Sequence, residues 1–297
     1  MSRKKNHVAL FAGLGGFITA GNRAGFETVY ANDNDPFCCE TLKATFPNVR
    51  ISQTDVRQIS VQNEFSQIDE IDLLSAGFPC QSFSNAGENK GFDDDRGKLF
   101  FEIIRLCKEL NNPPKVIILE NVPFMKIFDN GSRLSTVLQH LRSAGYWVSE
   151  RQAMIINSKD FCGSAQNRER LFIVAYHSRY FKKNYFDLNP ISDPDHVSLW
   201  KIIDRSSKVG SAYYLDSESK YWDMINKAAS GKGEDHLFQV RRTKIRACPE
   251  NTCPTLTANM GGGGHNVPFL FCYQIHHPGN TYRMSLLPQH IFYEYAL

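Results

Sequence analysis

Short apolar runs alternate with amphipathic segments from His7 to Tyr176. The apolar runs are too short for helices and hold many β-branched side chains, so they predict buried strands, whereas apolar residues three and four positions apart predict helices. Because the two kinds of segment alternate, the pattern predicts an α/β fold with a doubly wound, mostly parallel sheet. The predicted strands are His7–Ala12, Glu27–Asn32, Ile51–Val56, Ile71–Ala76, Lys115–Leu119, Trp147–Ile156 and Leu171–Tyr176, and the predicted helices are Phe17–Ala24, Pro36–Phe46, Leu99–Leu110 and Leu134–Ala144.

The pattern changes from about residue 187 onward, where the periodicity weakens and Pro, Ser and Gly become more frequent. We therefore predict a first domain over residues 1–186, a smaller second domain over 187–271 and an atypical tail over 272–297. The second domain holds a basic stretch, Arg241–Arg246, followed by a hydroxyl- and glycine-rich stretch, Cys253–Gly264. Such a combination suits contact with a sugar-phosphate backbone and with base edges.

A glycine turn, Gly13-Leu-Gly-Gly16, separates the first predicted strand from the first predicted helix. Glycines at this place let the backbone approach a ligand and present helix amides to it. Asp33 follows the second strand, where a carboxylate can accept hydrogen bonds from ribose hydroxyls. The alternative is a tight strand-to-helix turn without a ligand. A nicotinamide-dependent oxidoreductase would also explain these residues, but not the features of Cys80, Glu120 and the paired arginines described next.

Cys80 follows a buried strand and the turn Gly77-Phe-Pro79, which predicts an exposed thiol suited to act as a nucleophile. The alternative is a buried structural cysteine. The polar stretch Asn85–Gly97 is long enough to cover the thiol as a lid. Glu120 directly follows another apolar strand, so its carboxylate is expected at the same sheet edge as Cys80.

Two arginines, Arg168 and Arg170, stand at alternate positions leading into the last predicted strand. Alternate positions of an extended chain point the same way, so the pair is suited to hold a phosphate or a carbonyl oxygen. An exposed charged turn is the alternative.

The 297 residues carry a formal net charge of +3, distributed unevenly. Residues 1–100 hold 10 basic and 13 acidic side chains, whereas the remainder holds 24 basic and 18 acidic ones. This surplus favours the second half as the nucleic-acid contact, and an ordinary solvated surface is the alternative. The eight cysteines are scattered, and neither an apolar leader nor a long apolar run is present, so we expect a reducing, cytoplasmic location without membrane contact. The loose spacing of Cys248, Cys253, His265 and Cys272 does not favour zinc, and no metal is predicted.

Six blocks, in order, resemble the cytosine-5 DNA methyltransferases over about residues 7 to 271. They are Phe11-Ala-Gly-Leu-Gly-Gly16, Gly77-Phe-Pro-Cys-Gln81, Arg96-Gly-Lys-Leu-Phe100, Leu119-Glu-Asn-Val122, Gln166-Asn-Arg-Glu-Arg170 and Pro254-Thr-Leu-Thr257. The resemblance implies the fold of methyltransferases that use S-adenosyl-L-methionine, with a smaller target-recognition domain. It also implies methyl transfer to carbon 5 of a cytosine flipped out of double-stranded DNA, with a restriction endonuclease as the functional partner.

The resemblance further implies a role for each matching position. Cys80 would add to carbon 6 of the cytosine, Glu120 would bind and protonate ring nitrogen 3, Arg170 would hold the cytosine carbonyl, and Arg168 would position the catalytic loop and a phosphate. The implied cofactor-binding residues are Phe11, Gly13, Leu14, Gly16, Asp33, Asn34, Asp55, Val56, Gly77, Pro79 and Leu99. The implied DNA-binding residues are Gln81, Ser84, Arg241, Arg242, Thr255, Thr257 and Gly262.

The chain departs from the family pattern in two places. The family usually has Glu and an aromatic residue where this chain has Asp33 and Asn34, and Cys272–Leu297 resembles neither of the family's C-terminal blocks. Either a truncated or frameshifted gene product, or one half of an enzyme that a second polypeptide completes, would explain this tail. An incomplete chain that binds DNA without turnover, and an RNA cytosine-5 methyltransferase, are the alternatives. The chain lacks the Cys-Phe-Thr signature of the tRNA-specific branch.

Overall fold

A computed structural model describes residues 3–79, 98–183, 197–203, 214–215, 221–232, 236–241, 244–257, 268–272 and 283–286. The chain divides into two compact units. The first comprises Met1–Ile156 and Arg170–Asn189, and the second comprises Asn157–Glu169 and Pro190–Leu297. The division differs from the predicted domains because residues 157–169 group with the later part of the chain. The predicted site residues Cys80, Gln81, Ser84, Arg242 and Gly262 and the predicted lid lie outside the described residues.

The described elements follow the alternation that the sequence predicts. The helices are α1 (Gly16–Arg23), α2 (Pro36–Thr45), α3 (Val61–Glu64), α4 (Lys98–Glu109), α5 (Phe124–Ile127), α6 (Ser132–Ser143), α7 (Ser158–Cys162), α8 (Leu199–Ile202) and α9 (Trp222–Ala229). The strands are β1 (Lys5–Leu10), β2 (Phe26–Asn32), β3 (Arg50–Ser52), β4 (Leu73–Ala76), β5 (Val116–Asn121), β6 (Tyr146–Trp147), β7 (Ala153–Asn157), β8 (Gln166–Asn167), β9 (Glu169–His177), β10 (Tyr214–Leu215), β11 (Phe238–Val240), β12 (Ile245–Ala247), β13 (Cys253–Pro254), β14 (Pro268–Cys272) and β15 (Arg283–Leu286).

The first unit is built on an eight-stranded sheet with the order β3-β2-β1-β4-β5-β9-β6, in which β7 also pairs with β9. The strands from β3 to β5 are parallel, and β9 runs antiparallel to both β5 and β6. The chain winds outward from β1 to β3 and then returns to the other side of β1 with β4. The predicted α/β class and mostly parallel, doubly wound sheet are confirmed.

The register of the parallel strands brings their carboxyl ends together. Leu10 pairs with Asn32 on one side and with Ala76 on the other, and Ala76 pairs with Leu119. The loops that follow β1, β2, β4 and β5 therefore leave the sheet at one edge, which is where open α/β sheets bind ligands. All four residues of β4 are buried, as expected of a central strand with both faces covered.

Two predicted strands are wrong in their extent. Within Trp147–Ile156, residues Glu150–Gln152 form a 3₁₀ turn, because the Gln152 amide oxygen accepts hydrogen bonds from both the amide and the hydroxyl of Ser149. Within Ile51–Val56, the strand ends at Ser52, and a 3₁₀ turn starts at Val56 because the Asp55 carboxylate caps it. In both places a polar side chain close in sequence satisfies backbone amides and competes with the extended ladder.

The second unit contains a five-stranded sheet with the order β10-β15-β14-β11-β12, whose paired strands are antiparallel. Strand β8 pairs in parallel with β13 in a separate two-stranded ladder. A cluster of buried residues that includes Ala165, Leu199, Leu237, Cys248 and Cys253 joins the two segments of the unit. Residues 157–169 thus contribute both backbone pairing and apolar contacts to it. No helix within the described ranges combines the length and the apolar character needed to cross a membrane.

Candidate active site

The turn after β1 is held in left-handed backbone conformations. Phe11 has a φ of 53°, Gly13 of 55° and Gly15 of 92°. A positive φ at a phenylalanine costs roughly 1 kcal/mol or more, and such strain concentrates at functional sites. Gly15 is required for space as well, because a Cβ there would clash with the ring of Phe46. The turn therefore brings Phe11 to the sheet edge in a conformation that ordinary loops avoid.

Asp33 fastens this turn to the end of β2. Its Oδ2 accepts a hydrogen bond of 2.8 Å from the Gly13 amide, and its Oδ1 accepts one of 3.0 Å from the Asp35 amide. Leu14, the next residue of the turn, is 39% exposed. Asp33 thus accepts hydrogen bonds from one backbone amide of the glycine turn and from the Asp35 amide, which are different contacts from the ribose contact predicted for it.

A cavity of about 170 Å³ opens at the same edge. Its lining contains several of the predicted cofactor residues together with Asn32 and Arg57, which the sequence analysis missed. Arg57 follows Asp55 by two positions, so a search for basic neighbours of the predicted acidic residue could have found it. The lining residues are Phe11, Asn32, Asn34, Asp55, Val56, Arg57, Pro79 and Leu99. Asp33, Gly13, Leu14, Gly16 and Gly77 are not among them.

Hydrogen bonds from two sides hold the wall around Asp55. The buried Asn32 donates through Nδ2 to the carbonyl oxygens of Thr54 and Ser52, at 2.6 and 3.1 Å. Arg105 on α4 donates through Nη2 to the carbonyl oxygens of Val56 and Ile59, at 3.1 and 3.2 Å. These bonds fix the backbone on both sides of Asp55.

Glu120 and Arg170 form an ion pair between neighbouring strands β5 and β9. Arg170 Nε lies 2.6 Å from Glu120 Oε1, and the two side chains are only 17% and 19% exposed. The other oxygen, Oε2, lies toward Gly77, because a Cβ built at Gly77 would be 3.2 Å from it. The small residue at position 77 therefore leaves room for the carboxylate at the start of the turn that leads to Cys80.

Asn121 fixes the Gly77–Pro79 turn through its side chain. Its side chain is buried and donates through Nδ2 to the carbonyl oxygen of Phe78 at 3.1 Å. Of these adjacent residues of β5, Asn121 fixes the Gly77–Pro79 turn by a hydrogen bond to its backbone, and Glu120 places its carboxylate next to Gly77. Asn121 belongs to one of the family blocks, but no role was predicted for it from the sequence.

Comparison with known proteins identifies the family. A model of the family described as C-5 cytosine-specific DNA methylase matches residues 6–255. The chain belongs to this family. The predicted resemblance and the prediction of a DNA cytosine-5 methyltransferase are therefore confirmed.

The methylase is similar to curated relatives over most of its length. It is 37% identical to the type II methyltransferase M.Bsp6I of Bacillus sp. (strain RFL6) over 89% of this chain and 80% of the relative. It is 34% identical to the type II methyltransferase M.HhaI of Haemophilus parahaemolyticus over 86% of this chain and 74% of the relative.

Solved structures match the methylase in fold. The S. pombe Dnmt2 methyltransferase superimposes with a TM-score of 0.62 at 18% identity, over 93% of this chain and 78% of that one. The Entamoeba histolytica methyltransferase EhMeth gives a TM-score of 0.60 at 20% identity, over 75% of this chain and 67% of that one. At these identities the likeness supports the methyltransferase fold that the sequence predicts.

Arg168 of the methylase lies in the second unit, whereas Arg170 lies in the first. The Arg168 amide donates to Asn157 Oδ1 at 3.2 Å, and the Arg168 carbonyl accepts from the Ser158 amide at 3.0 Å. Asn157 Nδ2 also donates to Asn167 Oδ1 at 2.6 Å. The start of α7 therefore holds the backbone that carries Arg168.

Three of the predicted DNA-binding residues fall within the described part of the second unit. The Thr255 hydroxyl donates to the Asn167 carbonyl oxygen at 2.7 Å, beside the β8–β13 ladder. Thr257 is exposed, and Arg241 is exposed where the β11–β12 hairpin turns, its amide donating to the Lys244 carbonyl at 2.9 Å. Thr255 therefore has a structural contact that the sequence did not predict.

Proposed function

We propose that this methylase transfers a methyl group from S-adenosyl-L-methionine to carbon 5 of a cytosine flipped out of double-stranded DNA. We further propose that it is the modification enzyme of a type II restriction-modification system, alongside a restriction endonuclease. The family match and the names of the type II relatives support this assignment. Its main structural support is the Glu120–Arg170 pair beside the turn that leads to Cys80.

The lining of the cavity fits the adenosyl part of this cofactor. Phe11, Val56 and Leu99 offer apolar surface to a flat ring, and the Asp55 carboxylate accepts hydrogen bonds, which suits an exocyclic amino group. Asn34 and Pro79 complete the set of residues that would hold it. When bound, S-adenosylmethionine supplies an electrophilic methyl group.

The side chains of this chain prepare the cytosine. The Cys80 thiolate forms a bond to carbon 6, which places electron density on carbon 5. Glu120, after taking up a proton from solvent, transfers it to ring nitrogen 3, so that negative charge does not accumulate in the ring. After carbon 5 has been methylated, a water molecule takes up the carbon 5 proton, the double bond between carbons 5 and 6 re-forms, and the bond from carbon 6 to Cys80 breaks to release the thiolate. Glu120 then takes its proton back.

The arginines orient the base. Arg170 Nε contacts Glu120 Oε1 while Oε2 lies toward Gly77, and the guanidinium of Arg170 is suited to bind the cytosine carbonyl oxygen. Arg168 is suited to a backbone phosphate from its position in the second unit.

The target base must leave the stack, because its ring faces are covered in a duplex. The second unit would read the flanking sequence. Arg241, Arg242, Thr255, Thr257 and Gly262 are the proposed contacts there, and Gln81 and Ser84 are proposed next to Cys80.

The test is transfer of a labelled methyl group from S-adenosylmethionine to mixed-sequence duplex DNA by the purified chain. We expect label at carbon 5 of cytosine. Cys80→Ser should abolish transfer and leave DNA binding largely intact, because serine is a far weaker nucleophile toward carbon 6. Turnover retained by Cys80→Ser would overturn the mechanism. Absence of transfer by a folded wild-type chain that binds DNA would instead indicate that a second polypeptide is needed.

A further inference from the structure

Arg57 forms part of the cavity wall, yet nothing in the proposed chemistry uses it. Its side chain lines the cavity together with Asp55 and Val56, at the start of the 3₁₀ turn Val56–Gln58. An arginine in the wall of a cavity that would hold a positively charged sulfonium cofactor needs a physical reason, since like charges repel.

The reason is a bidentate contact with Asp55. Arg57 Nε donates to Asp55 Oδ1 at 2.9 Å and Arg57 Nη2 donates to Oδ2 at 2.6 Å, while the Arg57 amide also donates to Oδ1 at 2.9 Å. Parallel hydrogen bonds of this kind fix the plane of a carboxylate as well as its position. The charge of Arg57 is thus compensated by Asp55, and the carboxylate has one orientation.

The contact also keeps Asp55 an acceptor. The pKa of Asp55 is lowered, chiefly by the side-chain hydrogen bonds from Arg57, which outweigh the opposing effect of burial. Among the described residues, Oδ2 accepts only the bond from Arg57, so one of its lone pairs remains for a ligand. A group that meets Asp55 in the cavity must therefore be a donor.

We propose that Arg57 is a specificity-determining residue of the cofactor cavity: it holds the Asp55 carboxylate as a fixed acceptor, which selects a purine with an amino group over one with a carbonyl oxygen. This inference rests on the proposed cofactor. A carbonyl in place of the amino group sets two acceptors against each other, and such repulsion is an effective source of specificity. Without Arg57, Asp55 can rotate away or take up a proton and then donate to the carbonyl.

The inference is tested by calorimetric titration of the full chain with S-adenosylhomocysteine and with S-inosylhomocysteine, in which the purine amino group is replaced by a carbonyl oxygen. The wild-type protein should bind the adenosyl compound with a dissociation constant about tenfold or more lower than that of the inosyl compound, because one well-placed charged hydrogen bond changes affinity by about this factor. Arg57→Ala should weaken adenosyl binding by about tenfold and bring the ratio of the two dissociation constants toward one. Arg57→Lys should lie in between, because an ammonium cannot make the bidentate contact.

Arg50→Ala is the matched control. Arg50 also pairs with a carboxylate, Glu64, at 2.9 Å, and its side chain is 49% exposed against 53% for Arg57, but it does not line the cavity. We expect wild-type affinities and ratio from this variant, and thermal unfolding of each protein verifies that it is folded.

Three results would overturn the inference. Arg57→Ala could bind both compounds as wild type does, which would show that the contact has no effect on the ligand. It could lose affinity for both compounds by the same factor, which would show a structural role only. If wild type itself did not bind S-adenosylhomocysteine, the proposed cofactor would fail first and the inference with it, before any variant was compared.

Discussion

At the residue scale, the site is defined by how individual polar groups are oriented. Glu120 has its Oε1 engaged by Arg170 Nε at 2.6 Å, whereas Oε2 lies toward Gly77. A carboxylate whose two oxygens have different neighbours is suited to bind a nucleobase and to exchange a proton with it. Asn121 adds a hydrogen bond to the Phe78 carbonyl, so the backbone before Cys80 is held relative to that carboxylate.

The role of Glu120 can be tested by Glu120→Gln, which keeps the shape of the side chain and removes its acid. We expect the rate of methyl transfer to fall by about 10²- to 10⁴-fold, the usual contribution of a general acid, with S-adenosylmethionine affinity unchanged. Single-turnover methyl transfer and a cofactor titration measure the two quantities. Glu64→Gln breaks a comparable ion pair with Arg50 and serves as the control. Equal rates for the two variants would contradict the role of Glu120.

At the element scale, a buried polar chain joins the three central strands. His7 on β1 is fully buried, with Nδ1 2.8 Å from Thr28 Oγ1 on β2 and Nε2 2.8 Å from Ser75 Oγ on β4. Because the Thr28 hydroxyl donates to Asn22 Oδ1 at 3.1 Å, it accepts from His7 Nδ1, so Nε2 accepts from Ser75. The network requires a neutral imidazole, and burial lowers the pKa of His7 to about 4.

This network predicts a loss of stability in mild acid. In the unfolded chain His7 takes up a proton near pH 6.5, and in the folded chain only near pH 4. The stabilisation that depends on a neutral His7 is therefore complete above pH 6.5 and is lost as the pH falls from 6.5 to 4. The loss amounts to about 3 kcal/mol by pH 4. Chemical denaturation at pH 7 and pH 4.5 should show a smaller decrease for His7→Gln, which has no proton to bind. The same decrease in both proteins would exclude His7 as its source.

At the scale of the whole molecule, the second unit is assembled from separate stretches of sequence. Residues 157–169 join it through the β8–β13 ladder, through the apolar cluster around Ala165 and through the hydrogen bond from Thr255 to the Asn167 carbonyl. The segment that carries Arg168 therefore depends on residues far along the chain.

Thr255→Val tests this dependence while keeping the shape of the side chain. We expect the free energy of unfolding to fall by about 1 kcal/mol, because the Asn167 carbonyl loses its side-chain donor. Hydrogen exchange of residues 157–169 should become faster. Thr257→Val, at an exposed threonine of the same stretch, should change neither quantity. A decrease of the same size for Thr257→Val would show that the Asn167 contact is not responsible.

The sequence by itself determined the features that depend on neighbours along the chain. The alternation of strands and helices, the glycine turn after β1 and the polar residues at strand ends follow from periodicity and turn chemistry. The family blocks added the methyltransferase fold, and the expected sheet was found. These features are local because a strand or a turn is specified by its own residues and their burial pattern.

Only the tertiary structure decided which distant residues meet. The Glu120–Arg170 pair depends on the register of β5 with β9, and the bond from Asn121 to Phe78 depends on the register of β4 with β5. The assignment of residues 157–169 to the second unit was likewise not predicted. Arg57 and Asp55 are neighbours along the chain, but their bidentate geometry depends on the backbone of the 3₁₀ turn that carries them. Strand register is set by the summed packing of whole strands, and side-chain orientation by the backbone that this packing fixes. Neither the strand register nor the side-chain orientation can be read from the hydrophobic periodicity of the sequence.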